Sequence, residues 1–544
     1  MPNDAPLAGP AATAASPGAT PSAAATTVRI EGMRLAGEVV GAGRAAHIAV
    51  HNPYTGALVG TVPKATLDEV RRAFAIGQGY RARLSRFERA NILNLAAAAV
   101  RQRSDEIAGL ITAESGLCLQ DSRYETGRVA DVLMFGAHEV LKDDGQVFSC
   151  DITPHGRQRR VYTQRDPLLG VITAITPFNH PMNQVAHKIV PAIATNNRMV
   201  LKPSEKVPLS ALLLADILYA AGLPPEMLSV ITGDPREIAD ELITHPAVDL
   251  VSFTGGVAIG KAIAAKAGYR RLVLELGGND PIIVMDDADL DEASSLAVSG
   301  SYKNSGQRCT AVKRLLVHEK VAAAFTDLVV EKTLAWRYGD PADPVNQMGT
   351  VIDAAAARLF EARVDEAIAQ GARLLAGHRR AGALYAPTVL DRVQPGMTLV
   401  REETFGPVSP IITFSTIDEA IAIANGTAYG LSSAVCTNRM DHITRFVNGL
   451  QVGSVNVREV PGYRLELTPF GGIKDSGLGY KEGVQEAMER FTTSLAPRRA
   501  GRRCLDRLVC DCLVGHDPGA GGQRGRAARN LGAVCSTAGQ PAAG

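Results

Sequence analysis

The sequence predicts an α/β protein built on two doubly wound, largely parallel sheets with a small additional β unit. Three observations predict it. From Gly170 onward, short apolar runs alternate with amphipathic ones. The short runs are continuously apolar, as strands covered by helices on both faces must be. Gly and Pro punctuate the junctions between them.

Taken in order, the first series has strands at 170–178, 198–202, 228–232, 247–253 and 271–276. Helices are predicted between them at 184–194, 208–221, 235–244 and 257–267. Leu214 and Leu218, like Ile238 and Leu242, stand four apart and so share a helix face. A second series has strands at 281–285, 314–318, 408–414, 432–436 and 452–457. Its helices fall at 289–303, 321–335, 353–370, 416–425 and 440–449. Residues 28–145 read as an extended start followed by helices at 67–78, 86–103, 104–115 and 122–141. Residues 146–167 read as a polar β-hairpin turning at 154–158. Ligands of such sheets are expected at the carboxyl ends of the strands.

The composition narrows the function classes. The chain has 544 residues, 46% of them hydrophobic, and a formal net charge of +1. That balance argues against a broadly basic nucleic-acid binder. No run of about 18 apolar residues offers a spanning helix. Eight Cys without regular spacing suggest free thiols in a reducing, cytoplasmic setting. The ends differ from the middle. Residues 1–27 hold ten Ala and five Pro, and a disordered segment is expected there. Residues 496–544 hold eight Arg, no Lys and four of the Cys, and no packed fold is expected of them. Cys504, Cys510, Cys512 and His516 fit no common zinc spacing, so no metal is expected.

Several residues carry candidate chemistry. Cys309 follows a helix in a polar Gly-containing loop, and Arg308 and Lys313 would favour its thiolate. Glu275 closes a strand before Gly277 and Gly278, where a carboxylate is costly unless paired or functional. Ser252–Gly256 is a strand–turn–helix start that presents free backbone N–H groups, although it lacks the G-x-G-x-x-G fingerprint. Lys202 and Glu205 follow a strand end and could hold a pair of sugar hydroxyls.

Together, TPFNHP (176–181), LKPSE (201–205), FTGG (253–256), LELGG (274–278), GQRC (306–309), EETFGP (402–407) and PFGGIKDSG (469–477) resemble the aldehyde dehydrogenase superfamily, in its order, over about Ile48 to Phe491. The resemblance implies an NAD-binding domain (28–145 and 168–275), a catalytic domain (276–470) and an oligomerisation unit (146–167 and 471–495) in a homodimer or homotetramer. It implies Cys309 as nucleophile, Glu275 as general base and Asn179 as oxyanion donor. For the cofactor it implies Lys202 and Glu205 at the adenosine ribose, Gly255 and Gly256 at the pyrophosphate, and Glu403 and Phe405 at the nicotinamide ribose. NAD is favoured over NADP because Glu205 would repel a 2′-phosphate. Members that acylate coenzyme A typically lack a Glu at the place of Glu275, so hydrolysis to the acid is expected. A catalytically silent binding protein on the same fold is disfavoured by the intact Cys309, Glu275 and Asn179 set.

The aldehyde is read from charge. Arg308 precedes the nucleophile, His180 lies beside Asn179, and Arg128 and Arg464 are further candidate cations. Several cations around a small aldehyde suggest an anionic head held by forked hydrogen bonds. Within the family the segments are most similar to members that oxidise phosphonoacetaldehyde in phosphonate catabolism. Members that oxidise glyceraldehyde 3-phosphate without phosphorylation come next.

Overall fold

The computed structural model describes residues 28–495, except 82, 143–144, 157, 159 and 480–481. The two compositionally unusual ends, 1–27 and 496–544, lie outside the described residues.

The first predicted series forms a seven-stranded sheet. Its order is Arg271–Glu275, Val248–Thr254, Val171–Ile175, Met199–Lys202, Leu228–Val230, Met33–Leu35 and Glu38–Val40. The first five strands are parallel, with Val251 opposite Thr173 and Thr173 opposite Val200. Their continuous apolar character reflects burial on both faces. The last two strands are antiparallel additions from the extended start. They are too short to show a period of two, so the sequence predicts only an extended start there.

The second series forms another seven-stranded sheet, ordered Arg373–Ala376, Thr388–Asp391, Val408–Phe414, Val312–His318, Asp280–Val284, Ser432–Cys436 and Ser454–Val457. The six from Thr388 onward in that order are mutually parallel. Arg373–Ala376 is an antiparallel edge strand. It and Thr388–Asp391 were not predicted, since each is only four residues long.

Helices begin where the sequence offers caps. Thr66 with Glu69 and Ser85 with Glu88 form capping boxes for Leu67–Gly79 and Arg86–Gln102. Two buried carboxylates act as remote caps. Glu114 accepts from the backbone N–H groups of Leu209 and Ser210, and Glu125 from those of Met182 and Asn183. Burial pushes both carboxyls up to about 7. The helix after Gly116 starts at Leu119 and ends at Glu139, a few residues before the predicted bounds.

By internal contacts the chain separates into two units. Among the described residues, one spans 28–142 and Arg165–Thr493; the other holds Gly145–Gln164 with Ser494 and Leu495. The second contains the predicted hairpin, with Gln146 opposite Thr163 and Ser149 opposite Arg160. Within the first unit, separate apolar clusters pack the two sheets. Phe74, Val171 and Phe253 belong to one around the first sheet, and Ile282, Leu315 and Phe325 to one around the second. Among the described residues no helix is long and apolar enough to cross a membrane.

Candidate active site

The site begins with an unusual turn. Helix Leu290–Tyr302 ends in a short turn in which Asn304, Ser305 and Gly306 all have positive φ (61°, 54° and 71°). Two of the three carry side chains, so the turn is strained and must be held by its surroundings. Asp121 accepts from the Asn304 N–H at 2.7 Å, and the Asn304 amide donates to the Asn179 carbonyl at 2.8 Å. Gly306 admits no side chain, because a Cβ there would lie 2.4 Å from the Gly406 backbone. The turn delivers Gln307, Arg308 and Cys309.

Motifs far apart in sequence lock together around Cys309. A Cβ on Gly278 would sit 2.3 Å from the Cys309 carbonyl oxygen, and one on Gly277 would sit 2.3 Å from Glu403. The Gly278 N–H donates to Glu403 at 3.0 Å. Lys313 donates to the Arg308 and Cys309 carbonyls at 2.7 and 2.8 Å, and its Nζ lies 3.5 Å from Glu403. The glycines of LELGG therefore serve close approach.

Two cavities meet at Cys309, which with Gln184 lines both. The larger, about 420 Å³, lies at the carboxyl ends of the first sheet's strands. It collects Lys202, Glu205, Gly255, Gly256, Glu403 and Phe405, every cofactor candidate from the sequence, and the oxyanion candidate Asn179. The smaller, about 300 Å³, collects Arg128, His180, Arg308 and Arg464, every substrate-side candidate, together with Tyr124, Lys303 and Glu459. Glu275 is 3% exposed and ends its strand, one residue before Leu276 and Gly277 in the larger cavity wall. It lines neither cavity itself.

Two charge expectations are corrected. Burial pushes the Cys309 thiol up to about 11, although Lys313 favours the thiolate. Adjacent cations were expected to lower it; desolvation outweighs them, and Asp280 and Glu403 work in the same direction as burial. His180 is not a cation either. Burial, reinforced by Arg128 and Arg308, holds it well below the ordinary histidine range.

Sequence reasoning also missed Glu466. Its carboxylate pairs with Arg128 Nε, lies 2.5 Å from His187 Nε2 and 3.8 Å from Arg464 Nη2. The available signal was a lone acidic residue in the apolar stretch RLEL, two positions after Arg464. Lys313 and Asn304 were missed as supports because their roles depend on backbone contacts.

The larger cavity suits a dinucleotide. Gly256 opens helix Val257–Ala267 without a side-chain cap, and a Cβ there would meet nothing within 4 Å. The first-turn N–H groups are thus available to an anion. Lys202 Nζ lies 3.2 Å from Glu205, giving a donor and an acceptor side by side.

Residues 40–495 match the Aldehyde dehydrogenase family. The chain belongs to that family. The match starts before and ends after the span read from motifs. As an aldehyde dehydrogenase the chain is 39% identical over 445 residues to sulfoacetaldehyde dehydrogenase of Neptuniibacter caesariensis, covering 81% of this chain and 97% of that one. It is 36% identical over 450 residues to lactaldehyde dehydrogenase of Methanocaldococcus jannaschii, covering 81% and 95%. Its fold is similar to the crystal structure of glyceraldehyde-3-phosphate dehydrogenase from Methanocaldococcus jannaschii complexed with NADP. The TM-score is 0.80 at 34% identity, covering 83% of this chain and 99% of that one. The protein is thus an NAD(P)-dependent aldehyde dehydrogenase family enzyme acting on small aldehydes.

Proposed function

We propose that this enzyme oxidises a small aldehyde with an anionic head group to its carboxylic acid, with NAD as cofactor and phosphonoacetaldehyde as the first substrate to test. The observation that carries this reading is the convergence of Arg128, Arg308 and Arg464 on the cavity that ends at Cys309. A guanidinium fork matches a phosphonate, sulfonate or carboxylate. The sulfonate substrate named for one relative and the phosphate ester named for another support an anion; the lactaldehyde named for a third makes a neutral control necessary.

Cys309 supplies the nucleophile: its S–H proton leaves to solvent, its sulfur bonds to the aldehyde carbon, and the carbonyl π pair moves onto oxygen to give a tetrahedral thiohemiacetal oxyanion. Burial makes the thiolate costly to form, which suits a thiol that reacts only with a carbonyl already held against it. The oxyanion is stabilised by the Asn179 amide and the Cys309 backbone N–H. Asn179 spends one amide hydrogen on the Gln307 carbonyl at 2.8 Å, which fixes its orientation and leaves the other for the oxyanion. A nicotinamide dinucleotide held by Lys202, Glu205, Gly255, Gly256, Glu403 and Phe405 would supply the hydride acceptor. Glu275 then takes a proton from the water that hydrolyses the thioester left on Cys309.

The test is a substrate panel of phosphonoacetaldehyde, sulfoacetaldehyde, glyceraldehyde 3-phosphate and lactaldehyde with the wild type and Arg308→Ala. The anionic aldehydes are expected to have the higher kcat/KM. Loss of one buried charge-assisted contact raises their KM by roughly 10- to 150-fold. Equal losses for lactaldehyde would show that Arg308 acts on the thiol or on stability instead.

A further inference from the structure

The anion-facing cavity contains guanidinium groups whose orientation is not set by the cavity wall alone. Glu466, 5% exposed, sits behind them. One of its oxygens accepts from Arg128 Nε; the other lies 2.5 Å from His187 Nε2 and 3.8 Å from Arg464 Nη2. Burial alone would favour a neutral Glu466, but His187 and Arg128 hold its carboxyl well below the usual range. It is therefore acceptor-only, and His187 must carry its proton on Nε2 toward it.

The consequence lies in what remains unbonded. Arg128 spends only Nε on Glu466, and neither of its Nη nitrogens has a hydrogen-bond partner among the described residues. Arg464 lies 3.9 Å above the Phe470 ring, and its buried Nη1 has no partner. The buried Nε of Arg308 has none, since that side chain spends Nη2 on the Gly300 carbonyl. Buried donors without acceptors cost free energy unless a ligand completes them. All three arginines line the same cavity.

We infer that Glu466 is a positioning residue for substrate specificity: by holding Arg128 through Nε, and facing Arg464 through Nη2, it turns their remaining nitrogens toward the anionic head of the aldehyde. It does not touch the reacting atoms. Without it, the two guanidinium groups would repel each other and lose their common orientation. This inference rests on the anionic-aldehyde reading, and its test separates the two.

The experiment compares KM and kcat for phosphonoacetaldehyde and lactaldehyde in the wild type, Glu466→Gln, Arg128→Ala and the double variant. Glu466→Gln is expected to raise the ratio of the phosphonoacetaldehyde KM to the lactaldehyde KM by about tenfold, the equivalent of one charge-assisted contact. The double variant is expected to lose little beyond what Arg128→Ala loses alone, so the two changes are strongly non-additive. An unchanged or lowered ratio in Glu466→Gln would overturn the inference, as would full additivity. If Glu466→Gln does not fold, Arg128→Lys takes its place, since it keeps the charge but lacks the Nε that Glu466 holds. The same selective rise is then expected, and an equal rise for both aldehydes would overturn the proposal. A wild type that prefers lactaldehyde would instead remove the anionic-aldehyde reading itself.

Discussion

Cys309 lines both cavities, and its environment makes specific demands. Cys309→Ala is expected to abolish aldehyde oxidation while leaving NAD affinity nearly unchanged, measured by fluorescence titration, because the thiol bonds substrate and not cofactor. Glu275→Gln is expected to give a burst of NADH followed by a slow steady state, as thioester hydrolysis becomes limiting; unchanged steady-state turnover would remove Glu275 from that role. The thiol's ionisation adds a pH test. With its pKa raised to about 11, Cys309 of the cofactor-free enzyme is almost wholly protonated at neutral pH. Only the thiolate reacts, so iodoacetamide labelling is expected to speed up about tenfold per pH unit through pH 9. A plateau near pH 8 would show an activated thiolate in the free enzyme.

At the scale of the element, the decisive piece is the left-handed turn before Cys309. Gly306→Ala would add both an unfavourable φ and a clash with the Gly406 backbone. It is expected to lower stability by roughly 1–3 kcal/mol and to reduce activity more than stability, since the turn aims the nucleophile. Thermal melting with initial rates checks this; an intact rate with a lowered Tm would make the turn structural only. The strand Met199–Lys202 carries the cofactor prediction, because its end places Lys202 beside Glu205. A 2′-phosphate would meet like charge there, so kcat/KM is expected to favour NAD over NADP, and Glu205→Gln to narrow the difference. Equal efficiency in the wild type would refute it.

For the whole molecule, one geometric fact governs. Among the described residues, those lining the two cavities at Cys309 run from Tyr124 to Phe470, gathered from both sheets and the helices between them. Truncation after Pro497 removes none of them and is therefore expected to leave kcat/KM nearly unchanged. Assays under reducing conditions, with light scattering for oligomer size, check this. A truncated chain that loses both activity and assembly would make the segment beyond Pro497 a working interface.

How much was legible in the sequence follows from what kind of interaction fixes each feature. The parallel strands and their helices were readable to within a few residues, because apolar continuity and four-residue spacing are local consequences of burial. The short strands at 33–40 and 373–391 were not, because two to four residues carry no period and their pairing is a tertiary choice. The candidate site was legible only through the family resemblance of seven motifs in order, several of them carrying glycines where the backbone approaches closely. Its electrostatics were not. Charge in a sequence is counted at full value, whereas burial decides how much of it survives: His180 is neutral, the Cys309 thiol is raised, and Glu466 opposes two of the arginines. The sequence by itself determined the fold class, the order of its elements and the residue types available at the site. Only the tertiary structure decided which of them meet, how deeply they are desolvated and which carboxylate stands behind which cation, because distance and dielectric do not exist along the chain.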